Sequence, residues 1–431
     1  MSFLRTHQLP SAFVARGLGS VLQLVLTFLL ARLLGAHGIG IYQLFANWTY
    51  LFATVISGGL PTYALRETAF LYSANAITEA RRLIFRAIKF IVLWGAVVGA
   101  ITLLAVNANG GVFSDGLSFV VELSVAAGVL LALLRLFAEI AKAQGRAVVG
   151  LLLEFGVVPA LIIVSVIGWG LLQSDAGPTA VILAHVAGLL VAVTIAASAT
   201  QRGPAEGQTG QTKIKTKSVG TLWGISLVNN GLAAAPYLVL PLYAMPSEIG
   251  LFGVAHRLIG LSGTILMALA SIYASRFSIF ANSQDLARLK HAFRNSWIYS
   301  LACFLPFFLG YSFFGKEILG LFGDEFAAAA PLLLVMALGR LVGSAVGLSE
   351  QLLSMVGKEH WELLSAALSL CVFFTLSAIF APIYGPYAIA WSIAIAHALR
   401  AVISRSCVGW YFAALRHSPQ TVCATRGTSD G

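Results

Sequence analysis

Residues 12–35 read AFVARGLGSVLQLVLTFLLARLLG. This run is too long for the apolar segment of a signal peptide and has the length of a helix that crosses a bilayer, which takes about 20 apolar residues. The rest of the chain repeats the pattern. Of its 431 residues 58% are hydrophobic and only 10% are charged, with a mean hydropathy of +0.87. Soluble domains carry about 25% charged residues, so the composition places the chain among membrane proteins. Strand-sized alternating segments are absent, so the spans are helical.

Twelve apolar runs can be marked. Six lie near 12–35, 38–61, 84–106, 118–143, 148–173 and 178–199. The other six lie near 219–243, 249–275, 294–314, 327–352, 361–382 and 386–413. Twenty-one of the 27 Lys and Arg residues fall on one set of loops and tails, with Lys142 and Arg400 counted among them. Only Arg32 and Lys316 fall on the other set. By the positive-inside rule the basic side and both termini are cytoplasmic. The basic stretch TEARRLIFRAIKF (78–90) is read as ordinary cytoplasmic charge ahead of the third span, or as a segment lying on anionic headgroups.

A polar linker, 201–217, separates two groups of six runs, and the chain repeats itself across it. At an offset of 210, Ile39-Gly40-Ile41-Tyr42 falls on Ile249-Gly250-Leu251-Phe252, and Tyr63-Ala64 falls on Tyr273-Ala274. AQGR (143–146) pairs with MVGK (355–358), and GPTAVI (177–182) with GPYAIA (385–390). The expected organisation is an N-terminal six-helix bundle (1–200), the linker, a C-terminal bundle (218–413) and a tail (414–431) without fixed structure. Six helices per half make the repeat parallel, with its axis along the membrane normal.

The stretch RGLGSVLQLVLTFLLARLLGAHGIGIYQLFANWTYLFATVISGGLPTYALRETA (16–69) resembles the opening of polysaccharide flippases of the Wzx type. These belong to the multidrug/oligosaccharidyl-lipid/polysaccharide exporter superfamily. The resemblance continues through the AQGR turn, the Gly-Pro start of the sixth run and GLFGVAHRLIGL (250–261), and covers the chain to about residue 413. It implies V-shaped bundles, like those of the multidrug exporters, around a central cavity. It also implies that the cargo is an undecaprenyl-pyrophosphate-linked oligosaccharide, moved from the cytoplasmic to the periplasmic leaflet. A polymerase and glycosyltransferases are the partners this role implies, around a monomeric transport unit.

Candidate site residues are given by charge. A central arginine costs about 2.5–3.5 kcal/mol on insertion scales and usually faces a cavity or a partner. Arg135, Arg257 and Arg340 lie deep in the runs, while Arg16 lies near an end and can snorkel. Arg257 and Arg340 have no acid three or four residues away, so a cavity holding an anionic headgroup is the expected setting. Arg135 has Glu139 one turn on, which permits a salt bridge instead. His256 reads as a polar packing residue. Glu139, Glu154 and Glu350 are the acids inside helices, and are candidates for H+ or Na+ coupling or for structural pairing.

Several functions find no support. Walker, metal-ligand and nucleophile-elbow patterns are absent, and no cofactor is expected. The four cysteines have no ligand spacing. Basic residues punctuate apolar runs without covering a face, which argues against nucleic acid. The outward loops NANGGVFSDG, LQSDAG, AMPSE and APIYG are short and lack convergent carboxylates, which argues against a membrane glycosyltransferase or polymerase. A multidrug/cation antiporter of the same superfamily is the main rival, and a scaffold is a remoter one.

Overall fold

The computed structural model describes residues 8–74, 76–108, 115–171, 177–200, 216–283 and 285–417. The linker at 201–215 and the tail from 418 lie outside them. Every described element is a helix. The first half comprises α1 (Gln8–Ser57), α2 (Leu60–Ser73), α3 (Ile77–Ala108), α4 (Asp115–Ala143), α5 (Ala147–Phe155), α6 (Val157–Leu171) and α7 (Pro178–Thr200). The second comprises α8 (Thr216–Tyr243), α9 (Pro246–Asn282), α10 (Leu286–Gly320), a 3-10 turn (Asp324–Ala329), α11 (Ala330–Ala345), α12 (Ser349–Met355), α13 (Glu359–Tyr384) and α14 (Pro386–His417).

Among the described residues nine helices are long and apolar enough to cross a membrane, or ten if the bent pair α5–α6 forms one span. Two places separate this number from the twelve runs. The first two runs are two helices that meet without a loop at Gly35, whose φ of 63° and ψ of −177° are foreign to a helix; together they make the continuous element α1, which is counted once. The seventh run lies in α8, where the pair Asn229-Asn230 and the internal prolines Pro236 and Pro241 dilute its apolar character.

Glycine sets the breaks. Gly58 and Gly59 both take positive φ (58° and 74°) and turn α1 into α2, with Pro61 in the first turn. The twelve runs include no counterpart of α2. It packs Tyr63 and Leu71 against Ala80 and Leu83 at the start of α3. The basic stretch 78–90 is therefore the first three turns of an unbroken α3, not a separate surface segment. In the second half, Ala268 and Leu269 stand where the 210-residue offset would put the two glycines, and α9 runs through without a turn. Gly347 (φ 76°) separates α11 from α12, so the tenth run is also broken.

Without water there is little hydrophobic drive between helices in a bilayer, so small residues that admit close backbones hold such bundles together. In the first half, a Cβ on Gly128 of α4 would stand 2.7 Å from that of Phe52. In the second half, one on Gly339 of α11 would stand 2.5 Å from the Cα of Ala394 on α14.

The two halves meet along α1, α8 and α9, and most tightly beside Gly35. A Cβ on Gly40 would stand 1.8 Å from the carbonyl oxygen of Pro246, and one on Gly250 would stand 2.0 Å from that of Ala36. The contact is reciprocal. Around it, Glu325 Oε1 accepts from the Ala36 amide at 2.6 Å, capping the helix that restarts after Gly35. Arg32 Nε donates to the Leu321 carbonyl at 2.8 Å, and Phe28 meets Phe322 edge to face. From there a polar stripe on α1 runs along α9: Thr27 and Gln23 reach Arg257, Ser20 faces Thr264 at 3.5 Å, and Arg16 Nη2 lies 3.6 Å from Met267 Sδ.

No side chain fits at the two facing glycines without parting the helices. Gly40→Val or Gly250→Val is expected to cost about 1–3 kcal/mol or more. The same change at Gly310 or Gly409, where nothing lies within 4 Å of an added Cβ, is expected to cost no more than the loss of helix propensity. Heat-induced aggregation of the purified variants, monitored by size-exclusion chromatography, measures the difference.

Candidate functional site

Arg257 sits eleven residues into α9, about 16 Å along the helix from Pro246. Its side chain is exposed although the residue lies in the middle of a spanning helix. All its hydrogen-bond partners are neutral. Nη1 donates to Gln23 Oε1 at 3.0 Å, and Nε donates to Thr27 Oγ1 at 3.4 Å, both on α1. Tyr42 and Tyr237 lie within electrostatic reach. The guanidinium thus stands open at the seam between the halves, with hydrogen bonds but no counter-charge.

Beside it is a polar network that no sequence pattern announces. The Tyr237 hydroxyl of α8 lies 3.1 Å from Gln43 Oε1 of α1 and 3.3 Å from His256 Nδ1 of α9. Trp48 Nε1 donates to the Tyr237 carbonyl at 2.9 Å. His256 is therefore a member of a network between the halves as well as a packing residue. Within the first half, the Tyr42 hydroxyl lies 3.1 Å from His185 Nδ1. No spacing along the chain marks these pairs, because each joins residues well apart in sequence.

Arg135 makes no salt bridge with Glu139. Its guanidinium carbon stands 4.1 Å from the centroid of the Tyr50 ring, and Nη1 reaches Thr54 Oγ1 at 3.3 Å. A cation over an aromatic face is stabilised by the ring quadrupole. The Tyr50 hydroxyl in turn donates to Asn230 Oδ1 of α8 at 2.8 Å, across the seam. Arg340 approaches α9 from α11 and lies against Gly263, where an added Cβ would stand 2.7 Å from Nη2. Gly263 is six residues from Arg257, so the two arginines meet α9 about a third of a turn apart. They do not touch the same face.

The acids have other partners. Lys142 Nζ bridges Glu139 at 2.9 Å and Glu154 at 2.8 Å. Arg400 Nη2 bridges Glu350 at 3.0 Å and Glu362 at 3.3 Å, and the Ser354 hydroxyl donates to Glu362 at 2.5 Å. This corrects two placements. Arg400 lies inside α14 with 12% of its side chain exposed, and Lys142 ends α4 with 19% exposed. Neither is a free loop charge. Each half thus holds two carboxylates on one cation, so that loss of the cation would leave both uncompensated. Arg16, read as snorkelling, lies over the Phe155 ring at 5.1 Å. Among the described residues no three His, Cys, Asp or Glu side chains come together as metal ligands.

Comparison with solved structures places this architecture. An inward-facing multidrug resistance MATE family transporter of the MOP superfamily superposes with a TM-score of 0.78 at 12% identity, over 93% of this chain and 96% of that one. The lipid II flippase MurJ in an inward closed conformation gives 0.72 at 13% identity, over 93% and 89%. A MOP superfamily transporter from Pyrococcus furiosus, described as having a binding pocket of reverse polarity, gives 0.63 at 12%, over 95% and 96%. The chain shares the fold of these structures, and its described helices include nine that are long and apolar enough to cross a membrane. No protein-family model matches it, and no curated protein is a significant match.

If Lys142 serves its two carboxylates structurally, removing it leaves them uncompensated. Lys142→Met is expected to destabilise by roughly 1–3 kcal/mol, below the full cost of a wholly buried pair because the triad is partly exposed. Adding Glu139→Gln and Glu154→Gln to Lys142→Met is expected to recover most of that loss. Melting of the purified triple variant is the measurement, and a triple variant no more stable than Lys142→Met would contradict the assignment.

Proposed function

We propose that this protein is a flippase for a lipid-linked oligosaccharide. Its cargo carries an undecaprenyl pyrophosphate and crosses from the cytoplasmic to the periplasmic leaflet of a bacterial inner membrane, for synthesis of a surface polysaccharide. The observation that carries the proposal is Arg257: an accessible, permanently charged guanidinium at the seam between the halves, hydrogen-bonded only to neutral groups. Arginine matches phosphate oxygens in a bidentate fork and stays charged at any working pH. A pyrophosphate supplies the missing counter-charge, with Arg135 on the opposite half and Arg340 behind α9 as further positive charge around it. The lipid tail remains in the bilayer while the polar head uses the space between the halves.

The transport cycle is alternating access by two repeats related by a pseudo-two-fold axis along the membrane normal. The reciprocal contacts of Gly40 with Pro246 and Gly250 with Ala36 favour that symmetry. The same contacts close the Gly35 end, which is the periplasmic end in the proposed orientation, with both termini in the cytoplasm. An inward-facing state agrees with the higher likeness to the inward-facing MATE structure (0.78) than to an outward-facing one (0.61). Coupling to H+ or Na+ through Glu139, Glu154 or Glu350 would require breaking a salt bridge in each turnover. A polysaccharide polymerase and glycosyltransferases are the partners that fit the role.

The multidrug/cation antiporter is the alternative reading, since MATE transporters share the fold. A cationic drug requires available carboxylates. Glu139, Glu154, Glu350 and Glu362 are all held by Lys142 or Arg400, Glu122 lines a cavity between α3 and α4 away from the seam, and the unneutralised charge at the seam is positive. That observation favours an anionic cargo.

Reconstitution into liposomes with a fluorescent lipid-linked oligosaccharide tests the reading. Wild type is expected to make the label accessible in the far leaflet. Arg257→Ala is expected to reduce the rate at least tenfold with normal folding, and Arg257→Lys is expected to reduce it less. Wild-type rates in Arg257→Ala would remove the proposal.

A further inference from the structure

An open groove of about 410 Å³ runs between α3 and α4, within the first half and away from the seam. Two glycines of α3 fix how its walls face each other. A Cβ on Gly95 would stand 2.6 Å from Val129 Cγ2, and one on Gly99 would stand 3.6 Å from Val125 Cγ1. The two helices are therefore antiparallel, and Glu122 falls level with Thr102 and Leu103 at one end of the groove. The Ser124 hydroxyl of α4 lies 3.3 Å from the Phe45 carbonyl of α1, and Gly128 lies against Phe52. α4 thus starts at the Gly35 end of the molecule, and the Glu122 end of the groove is the one nearer to it.

Length and charge both restrict what can lie there. From Val92 to Leu103 the groove follows α3 for about 16 Å at 1.5 Å per residue. Half of a hydrocarbon core of about 30 Å is about 15 Å, so the groove is as long as one leaflet is deep. Beside it α3 turns Leu93, Val97 and Leu104 outward, so its open side meets lipid. The lining is apolar or small apart from two residues. Thr102 satisfies its hydroxyl on the Val98 carbonyl at 2.8 Å. Glu122 is the one charged residue in the lining, is exposed, and makes no hydrogen bond or ion pair among the described residues. Side chains of a helix lean toward its N-terminus, so this carboxylate leans out of the groove toward the membrane surface. A carboxylate beside hydrocarbon is costly without a counter-charge.

We propose that the α3–α4 groove binds a membrane phospholipid with a primary-ammonium headgroup, drawn from the leaflet at the Gly35 end, which is the periplasmic leaflet in the proposed orientation. One acyl chain fills the groove, and the ammonium donates to Glu122. The length of the groove selects a chain that spans a single leaflet, and the lone carboxylate selects the head. An anionic headgroup is repelled at the same place. The proposal does not rest on the identity of the cargo, because the groove is separate from the seam where Arg257 stands.

The full-length protein is purified in detergent and titrated with dioleoylphosphatidylethanolamine or dioleoylphosphatidylglycerol, with bound lipid counted by native mass spectrometry. Wild type is expected to bind one phosphatidylethanolamine about threefold more tightly than phosphatidylglycerol, the size of one exposed ion pair. Glu122→Gln is expected to lose that preference. Ala96→Leu and Ala126→Leu place a larger side chain at exposed positions of the lining, and are expected to lose the bound lipid whatever its head. Equal binding of the two lipids by wild type, or a preference that survives in Glu122→Gln, overturns the headgroup assignment. Lipid binding unchanged in both leucine variants overturns the groove. Undecaprenyl phosphate is the third probe. If it displaces phosphatidylethanolamine and its own binding is lost in Ala126→Leu but kept in Glu122→Gln, the groove holds the tail of the cargo and the phospholipid proposal is overturned. If it does not displace phosphatidylethanolamine, the proposal stands.

Discussion

Charge in an apolar interior must find a partner, and the way these partners are distributed determines what the rest of the molecule can do. Four carboxylates, Glu139, Glu154, Glu350 and Glu362, are shared between two cations, Lys142 and Arg400. That arrangement ties α4 to α5 in one half and α12, α13 and α14 together in the other. It leaves none of the four for the arginines near the seam. Arg135 turns to the face of Tyr50, Arg257 turns to two neutral side chains of α1, and Arg340 turns to Gly263. The seam is positive because the acids are already neutralised elsewhere, and this is a stronger argument about cargo than the net charge of the chain.

Glycine provides the second constraint. Gly35 breaks α1 where Glu325 can reach the freed amide, and Gly40 and Gly250 let the two halves touch backbone to backbone. The seal is built from close packing and a few hydrogen bonds to neutral backbone groups. No carboxylate–arginine pair crosses it among the described residues. A closure of this kind can part without separating opposite charges in a low dielectric, which suits the alternating-access cycle proposed above. By contrast, the ion-paired triads lie within a half, where nothing has to open.

The apolar runs and their lengths were legible in the sequence, because hydrocarbon thickness imposes them. The all-helical membrane fold is their direct consequence. Arginines 135, 257 and 340 were also legible as interior charges, because such residues stand out against an apolar background. Their contacts were not. Arg135 and Glu139 have the spacing of a salt bridge, yet Tyr50 and Lys142 compete for them from another helix and from the next turn. Arg400 looked like a loop residue because its charge is the usual sign of a helix end, whereas α14 continues past it and buries it between Glu350 and Glu362. Helix α2 was missed because Gly58-Gly59 reads as a loop and the helix itself is short and amphipathic. The Tyr237–His256–Gln43 network leaves no periodic mark on any one helix, so only tertiary contact reveals it.

The most direct test of an anionic, lipid-linked cargo is the leaflet in which that lipid accumulates when the protein is depleted from its host. A membrane-impermeant glycosidase, applied to spheroplasts and to inverted vesicles, reports the exposed face. The account predicts accumulation on the cytoplasmic face, relieved by wild type and not by Arg257→Ala. Undiminished arrival of the saccharide at the periplasmic face during depletion would contradict it, and the search would turn to cationic drugs.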